Sequence, residues 1–378
     1  MRGTVVALAL LSFGSTSSES TPEAPDFNVA NALLKHDIDI ATIPALSGSL
    51  FPSYPRGACS SLRHIFPNKV ITSNTSAYDA FTASYWSAQQ AAVDPECIFE
   101  PTAAKDVSIL VLIARLTQCP FSVKSGGHAA FAGASNSEGG ITVAFDQMRG
   151  IELAEDKSVV GVEPGNTWTP ASFEVVTASG AIITASPSTH ASLYWALRGG
   201  GPNFAIVTKF NFETIPQGLM WGGTRLHLEA LFPSVISAFY NLGVNAEKDV
   251  SAAQILSFAY AQGTRIAASE LEYAKPVANA SIFAEYLAIP AIQDSTAVRS
   301  LANLTLALNA VNPNGLRETY WAVTFKLDED FTAWAVDGFY EEVLGIADAA
   351  GLVPALTLQI ITVPMLRGFA KKGGMRWG

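Results

Sequence analysis

The stretch Pro120 to Asn136, PFSVKSGGHAAFAGASN, decides how this chain is read. It opens as a short apolar strand, with Phe121 and Val123, and passes directly into Ser125, Gly126, Gly127 and His128. Small residues follow: Ala129, Ala130, Ala132, Gly133, Ala134 and Ser135. Consecutive glycines admit backbone dihedrals closed to other residues, so successive N–H groups can point into one concavity and cradle a phosphate or pyrophosphate. A Ser-Gly-Gly turn between strands is the plainer alternative. A single histidine is equally at home on a surface or in a hydrogen-bonded core. The length of the run favours the cradle, since about ten small residues follow the strand where a hairpin takes two to five. Something large is expected in that space.

The rest of the chain bounds the chemistry. A length of 378 residues supports a sizeable core and two domains. Hydrophobic residues at 49% and charged ones at 15% exclude a disordered chain. The net charge of −10 disfavours non-specific nucleic-acid binding. At the N-terminus Arg2, an apolar segment from Val5 to Phe13, and Gly14 to Ser18 have the layout of a secretory signal peptide over residues 1–18. That apolar segment is too short for a membrane span, and no other segment reads as one. A buried first strand or helix is the alternative. Asn74, Asn279 and Asn303 each open an Asn-x-Ser/Thr site compatible with glycosylation.

Three cysteines suit an oxidising compartment if two pair and one stays buried. His36, His64 and His190 have no neighbouring Cys, His or carboxylate pattern of a metal site, so none is assigned. No G-x-S-x-G occurs, and no G-x-G-x-x-G opens a helix after a strand, which argues against a serine nucleophile and a Rossmann site.

Taken in order, residues 19–60 read as a lead-in with a short helix at Val29 to Leu34. Asn68 to Tyr78 gives a strand and turn. Thr102 caps a helix to Thr117 with Val107, Leu110, Val111, Ile113 and Ala114 at helical spacing. Ile141 to Phe145 is a strand of alternating character, and Gly150 to Leu153 pairs with Ser158 to Val162 across Glu155-Asp156-Lys157. A second glycine-rich segment, Leu193 to Phe204, precedes the strand Ala205 to Phe212; taken alone, it reads as a tight helix-to-strand turn. Beyond Pro216 strands are expected at 254–260, 281–287 and 319–327, and helices at 232–242, 296–308 and 331–350. Helix followed by several strands is an α+β pattern.

Lys124-Ser125-Gly126-Gly127-His128, preceded by Cys119-Pro120-Phe121 and followed by Gly133-Ala134-Ser135-Asn136, resembles the flavin-attachment segment of the vanillyl-alcohol oxidase and p-cresol methylhydroxylase (PCMH) superfamily. Within it the chain is similar to the berberine-bridge-enzyme-like oxidoreductases. Tyr85-Trp86-Ser87 and Pro95 to Pro101 match the opening of the flavin domain, and Trp195-Ala196-Leu197-Arg198-Gly199-Gly200-Gly201 with Asn203-Phe204 match the segment that closes around the cofactor, with Ala205 in place of the usual glycine. The resemblance implies FAD, attached covalently through His128, and a cofactor-binding set of Lys124, Ser125, Gly126, Gly127, His128, Ala129, Gly133, Gly200, Asn203 and Ile206. It implies a disulfide between Cys59 and Cys97, leaving Cys119 as a core thiol. It also implies a PCMH-type FAD-binding domain at 61–216 and a substrate domain of antiparallel sheet plus helices at 217–378.

Two departures accompany the match. Relatives carry a longer stretch between the positions of Trp168 and Phe173, with a second glycine-rich loop and the cysteine of a second covalent bond; no cysteine follows Cys119 here, which excludes bicovalent attachment. Lys371 to Gly378 resembles a segment that in relatives is followed by a return to the flavin domain. The expected function is a secreted FAD-dependent oxidoreductase acting on a small alcohol, amine or sugar-like substrate with oxygen as acceptor. The alternative is a non-catalytic secreted glycoprotein that keeps part of a flavin fold as a binding or scaffolding module. The general base is unassigned; His227, Glu285 and Tyr286 are candidates without a distinguishing spacing.

Overall fold

The computed structural model describes residues 27–46, 55–165, 172–201, 203–261, 263–309, 314–349 and 351–371. The expected signal peptide at 1–18, most of the shortened junction near 168–173, and residues 372–378 lie outside them. The chain forms two compact units, Met1–Thr214 with Asn314–Thr319, and Ile215–Pro313 with Tyr320–Gly378.

In the first unit, helices α1 (Val29–Leu34) and α2 (Pro55–Ile65) precede strand β1 (Val70–Thr72), helices α3 (Ser76–Ala83) and α4 (Ala88–Ala91), strand β2 (Cys97–Phe99) and helix α5 (Ala104–Thr117). The short helix expected at 29–34 is present, and the segment after β1 continues into α3 because the Thr75 side chain accepts the Tyr78 N–H. Thr102 does not cap α5. The N-cap is Ala103, and the Asp106 carboxylate reaches back to accept the Thr102 N–H at 2.8 Å and the Lys69 ammonium at 2.6 Å. An acid in the first turn does the same electrostatic work as a capping hydroxyl. Nor is α5 amphipathic: every residue from Asp106 to Ala114 is buried, because α1 and α2 pack on one side and the later strands on the other.

Strand β3 (Phe121–Lys124) and β4 (Ile141–Ala144) complete a sheet in the order β1-β2-β4-β3, where β4 runs parallel to both β2 and β3. All four residues of β4 are buried, so the alternation expected at 141–145 is absent, as a central parallel strand covered on both faces requires. The parallel pairing also corrects the length argument. Adjacent parallel strands need a crossover of a dozen or more residues, and residues 125–140 supply it, so a hairpin was the wrong benchmark and the length alone does not call for a ligand.

The hairpin of β5 (Ile151–Leu153) and β6 (Val159–Val162) is in the expected register region, with Ile151 opposite Val162. Strands β7 (Ser172–Val176) and β8 (Ile182–Ala185), helix α6 (Ala191–Leu197) and strand β9 (Ile206–Glu213) complete a second, antiparallel sheet in the order β5-β6-β9-β7-β8. The disulfide joins Cys59 of α2 to Cys97 of β2, and both sulfurs lie in the core around α5. Cys119 is a buried thiol.

The second unit is a wholly antiparallel sheet covered by helices. Strand β10 (Met220–Leu228), helix α7 (Phe232–Asn245) and strands β11 (Ala252–Ala261) and β12 (Thr264–Tyr273) form its centre. Helix α8 (Ala284–Ala288), strands β13 (Gln293–Asp294) and β14 (Ala297–Arg299), helices α9 (Leu301–Asn309) and α10 (Glu329–Leu344), strand β15 (Ala355–Gln359) and helix α11 (Val363–Lys371) follow. The core joins Val235, Phe239 and Leu242 of α7 to Leu256, Phe258, Ala267 and Leu271 of the sheet.

Three expectations fail in this unit. Residues 281–287 are a 3-10 turn followed by α8, because Phe283 and Tyr286 are buried three apart on one helical face. Residues 319–327 form no element and join no ladder, since β15 takes the edge of β11; Trp321 and Val323 stay 88% and 86% exposed. The helix expected at 296–308 is split, with β14 pairing to β10 and α9 beginning after Ser300, whose hydroxyl accepts the Asn303 N–H. Helix α10 starts and ends earlier than 331–350, capped by Asp328 and stopped at Gly345.

Candidate functional site

The site is built on the crossover from β3 to β4. Gly127 has φ +70°, and a Cβ there would lie 3.1 Å from Lys124 Cε and 3.4 Å from Tyr85 Cδ1, so glycine is favoured by the dihedral and a side chain would crowd Lys124. Among the described residues, no backbone N–H from Gly126 to Gly133 donates to a protein acceptor. Ala130 is nevertheless buried and Ala129 half-buried.

What holds this run in place is side-chain bonding from residues 85–93. Tyr85 Oη donates to Ser135 O at 2.9 Å, and Ser87 Oγ donates to Ala130 O at 2.9 Å. Gln90 Nε2 donates to Ser135 Oγ at 3.2 Å. Asn136 Nδ2 donates to the carbonyls of Gln90 and Val93, and its Oδ1 accepts the Thr142 hydroxyl at 2.6 Å. The loop therefore has a fixed shape while its N–H groups are free of protein partners, which is the donor set that an anionic diphosphate takes.

His128 is exposed, and its ring stacks on Trp86 with centroids 3.9 Å apart and planes 12° from parallel. Trp86 O accepts the Gly315 N–H at 2.7 Å, and Ala88 N–H donates to Leu316 O at 2.7 Å, so residues 314–319 brace the strip that carries the indole. Lys124 turns beneath the loop. Its ammonium is buried 3.6 Å from Asp146 Oδ2 and lies 5.6 Å from the Tyr85 ring centroid. Burial, with the Asp146 carboxylate adding to it, raises the Tyr85 phenol above its usual range. The Ser125 hydroxyl donates to Pro164 O, leaving Pro164-Gly165 against the rim of the run.

Lys124, Ser125, Gly126, Gly127, His128, Ala129 and Gly133 are thus brought together. Gly200 and Asn203 belong to the α6–β9 connection and Ile206 opens β9, and no hydrogen bond among the described residues ties them to the run. Asn203 Nδ2 donates to Gly200 O at 2.7 Å, closing the turn internally. A Cβ on Gly200 would meet Phe204 Cε2 at 2.3 Å and Ala196 O at 2.6 Å, so a close turn explains that glycine. Ile206 packs against the core around α5.

The candidate bases are each committed elsewhere. His227 Nδ1 lies 2.9 Å from Pro290 O, Glu285 accepts both bonds from Asn241 Nδ2, and the buried Tyr286 hydroxyl donates to Gln254 Oε1 at 2.7 Å. Among the described residues no group of His, Cys, Asp or Glu is arranged to hold a metal, and no helix is long and apolar enough to cross a membrane. Sequence reading missed Trp86 as the partner of His128, because nothing local marks a contact across more than forty positions.

Residues 95–193 match the FAD binding domain family. The chain is 31% identical over 350 residues to the FAD-dependent monooxygenase FUP4 of Fusarium proliferatum, a match covering 77% of this chain and 67% of that protein. It belongs to the PCMH-type FAD-linked oxidoreductases. A second relative of this FAD-linked chain, the oligopeptidase PhomG' of Diaporthe leptostromiformis, is 31% identical over 325 residues, covering 77% of this chain and 27% of its own length. The fold is that of 6-hydroxy-D-nicotine oxidase from Arthrobacter nicotinovorans, with a TM-score of 0.57 at 20% identity, covering 65% of each chain. The chain thus spans about two thirds or less of the lengths of these proteins. The PCMH-type assignment makes FAD the group against which the 126–133 run is read, and backbone N–H groups without protein acceptors are donors of the kind a diphosphate takes.

Proposed function

We propose that this FAD-linked oxidoreductase is secreted and holds its flavin through His128, with the diphosphate on the N–H groups of residues 126–133. The observation that carries this reading is the braced run of N–H groups, without protein acceptors among the described residues, that includes one exposed imidazole. The residues of the 126–133 run and His128 would hold FAD, which would supply hydride acceptance from a substrate carbon and electron transfer to oxygen. The chain's own residues bind and orient: the loop N–H groups meet the negative charge, Gly127 lets the backbone approach, and Trp86 fixes the plane of the imidazole. The substrate is a small alcohol, amine or sugar-like molecule. The relatives named monooxygenases make oxygen transfer the variant outcome, separable by whether labelled oxygen enters the product.

Secretion is supported by the Cys59–Cys97 disulfide and by the leader-like composition of residues 1–18. On that route Asn74 and Asn279 are glycan acceptors, since both lie exposed in turns, while Asn303 sits within α9. Expression through a secretory host tests the whole reading. Folded protein is expected to be yellow and to keep its flavin in denaturant, and His128→Ala to lose that retention. Folded protein that is colourless and takes up no added FAD contradicts it.

A further inference from the structure

The helix-covered face of the second unit's sheet carries a polar seam within its apolar core. Cross-strand register sets Trp221 opposite Tyr273, Gly223 opposite Leu271, Arg225 opposite Ser269, and His227 opposite Ala267. Side chains directly opposite one another stand about 5 Å apart at Cβ, and residues two apart on a strand share a face. Arg225, Ser269 and His227 are therefore mutual neighbours. They are 8%, 0% and 0% exposed.

Each of the three has a buried atom without a hydrogen-bond partner: Arg225 Nε, His227 Nε2 and Ser269 Oγ. Their other polar atoms on Arg225 and His227 are spent. Arg225 Nη1 pairs with Asp294 and Nη2 donates to Ile289 O at 2.9 Å, while His227 Nδ1 lies 2.9 Å from Pro290 O. A carbonyl only accepts, so Nδ1 carries the proton and the neutral ring presents Nε2 as a bare acceptor. Burial, aided by the Arg225 guanidinium and opposed by the Pro290 bond, holds the imidazole below its usual range and so keeps it neutral.

We propose that Arg225, His227 and Ser269 form an internal binding site for one water molecule. The chemistry selects this ligand. Arg225 Nε–H can only donate, His227 Nε2 can only accept, and the Ser269 hydroxyl does either. The occupant must accept from one group and donate to another. A halide or carboxylate offers no proton to Nε2, an ammonium ion offers nothing to the guanidinium N–H, and a metal cation is repelled by the guanidinium. Water satisfies all three groups, with the three bonds typical of a buried water. It ties β10 and β12 to the Ile289–Pro290 turn and locks His227 in its Nδ1–H tautomer.

Nitrogen NMR of the full chain reads the tautomer, and oxygen-17 relaxation dispersion counts slowly exchanging waters. At neutral pH the wild type is expected to show His227 with Nδ1 protonated and Nε2 bare, and Ser269→Val to lose one long-lived water. A protonated Nε2, or an unchanged count in folded Ser269→Val, overturns the site. Should Ser269→Val not fold, an experimental map of the wild type decides: one water within hydrogen-bond reach of all three atoms supports the site, and direct bonds among them or no water there overturns it.

Discussion

The imidazole of His128 lies face to face with the indole of Trp86, ring centroids 3.9 Å apart and planes 12° from parallel. Because Trp86 is itself bonded through its carbonyl to Gly315, a residue far along the chain sets the surface on which the histidine rests. An aromatic pair of this kind contributes about 0.5–1.5 kcal/mol beyond its buried area, which is at most about tenfold in the population of the aligned ring. Trp86→Ala is expected to slow flavin attachment by up to about tenfold, and Trp86→Phe to restore most of it. In-gel flavin fluorescence after timed addition of FAD measures both.

Gly127→Ala places a methyl against Lys124 and Tyr85 and forces a non-glycine residue to φ +70°. The backbone alone costs about 1–2 kcal/mol. Gly133 has φ +81° but open space around its missing Cβ. Gly133→Ala is therefore expected to lower the urea midpoint less than Gly127→Ala, and only Gly127→Ala to weaken FAD binding strongly in a fluorescence titration.

The disulfide closes a loop spanning 38 positions, worth about 4 kcal/mol in the chain-entropy account. Reduction, or the pair Cys59→Ala and Cys97→Ala, is expected to lower the denaturation midpoint accordingly. Cys119 is buried, and burial followed by the Glu96 charge pushes its thiol up to about 11. Native protein should leave this thiol unreacted with a thiol-exchange reagent, with reaction appearing only on unfolding.

A histidine on β10 and two glutamates on β12 give the second unit opposed pH dependences. His227 is held below the ordinary imidazole value of 6.5, so the unfolded chain binds the extra proton and stability is lost as pH falls below that value. Glu270 and Glu272 are raised above the ordinary carboxyl value of 4.5, by burial first and, for Glu270, by the neighbouring Glu272. Here the folded state binds more protons, so stability is lost as pH rises above 4.5. Glu270→Gln with Glu272→Gln is expected to gain in urea midpoint over wild type as pH rises, leaving a profile that declines only toward acid.

Much of the first unit was legible because its signals are local. The Ser125–His128 run, the α1 pattern and the β5–β6 hairpin each declare themselves within a few residues. The strand expected at 281–287 failed because Phe283 and Tyr286, three apart, share a face in a helix and not in a strand, and a short apolar run does not declare its period without the core they pack into. The strand at 319–327 failed for want of a free edge, which no reading of Trp321 or Val323 reveals. At the site itself the glycines and the histidine were visible, whereas the bonds from Tyr85 and Ser87 to Ser135 and Ala130 join residues 50 and 43 positions apart. Only the parallel pairing of β3 and β4 shows why the loop must be long.

The tether at His128 is tested most directly by digesting flavin-loaded protein with trypsin, which cuts after Lys124 and Arg149 and isolates residues 125–149. Mass spectrometry of that peptide should find one flavin on His128, absent from His128→Ala. Flavin recovered free in solution, or on any other peptide, contradicts the account.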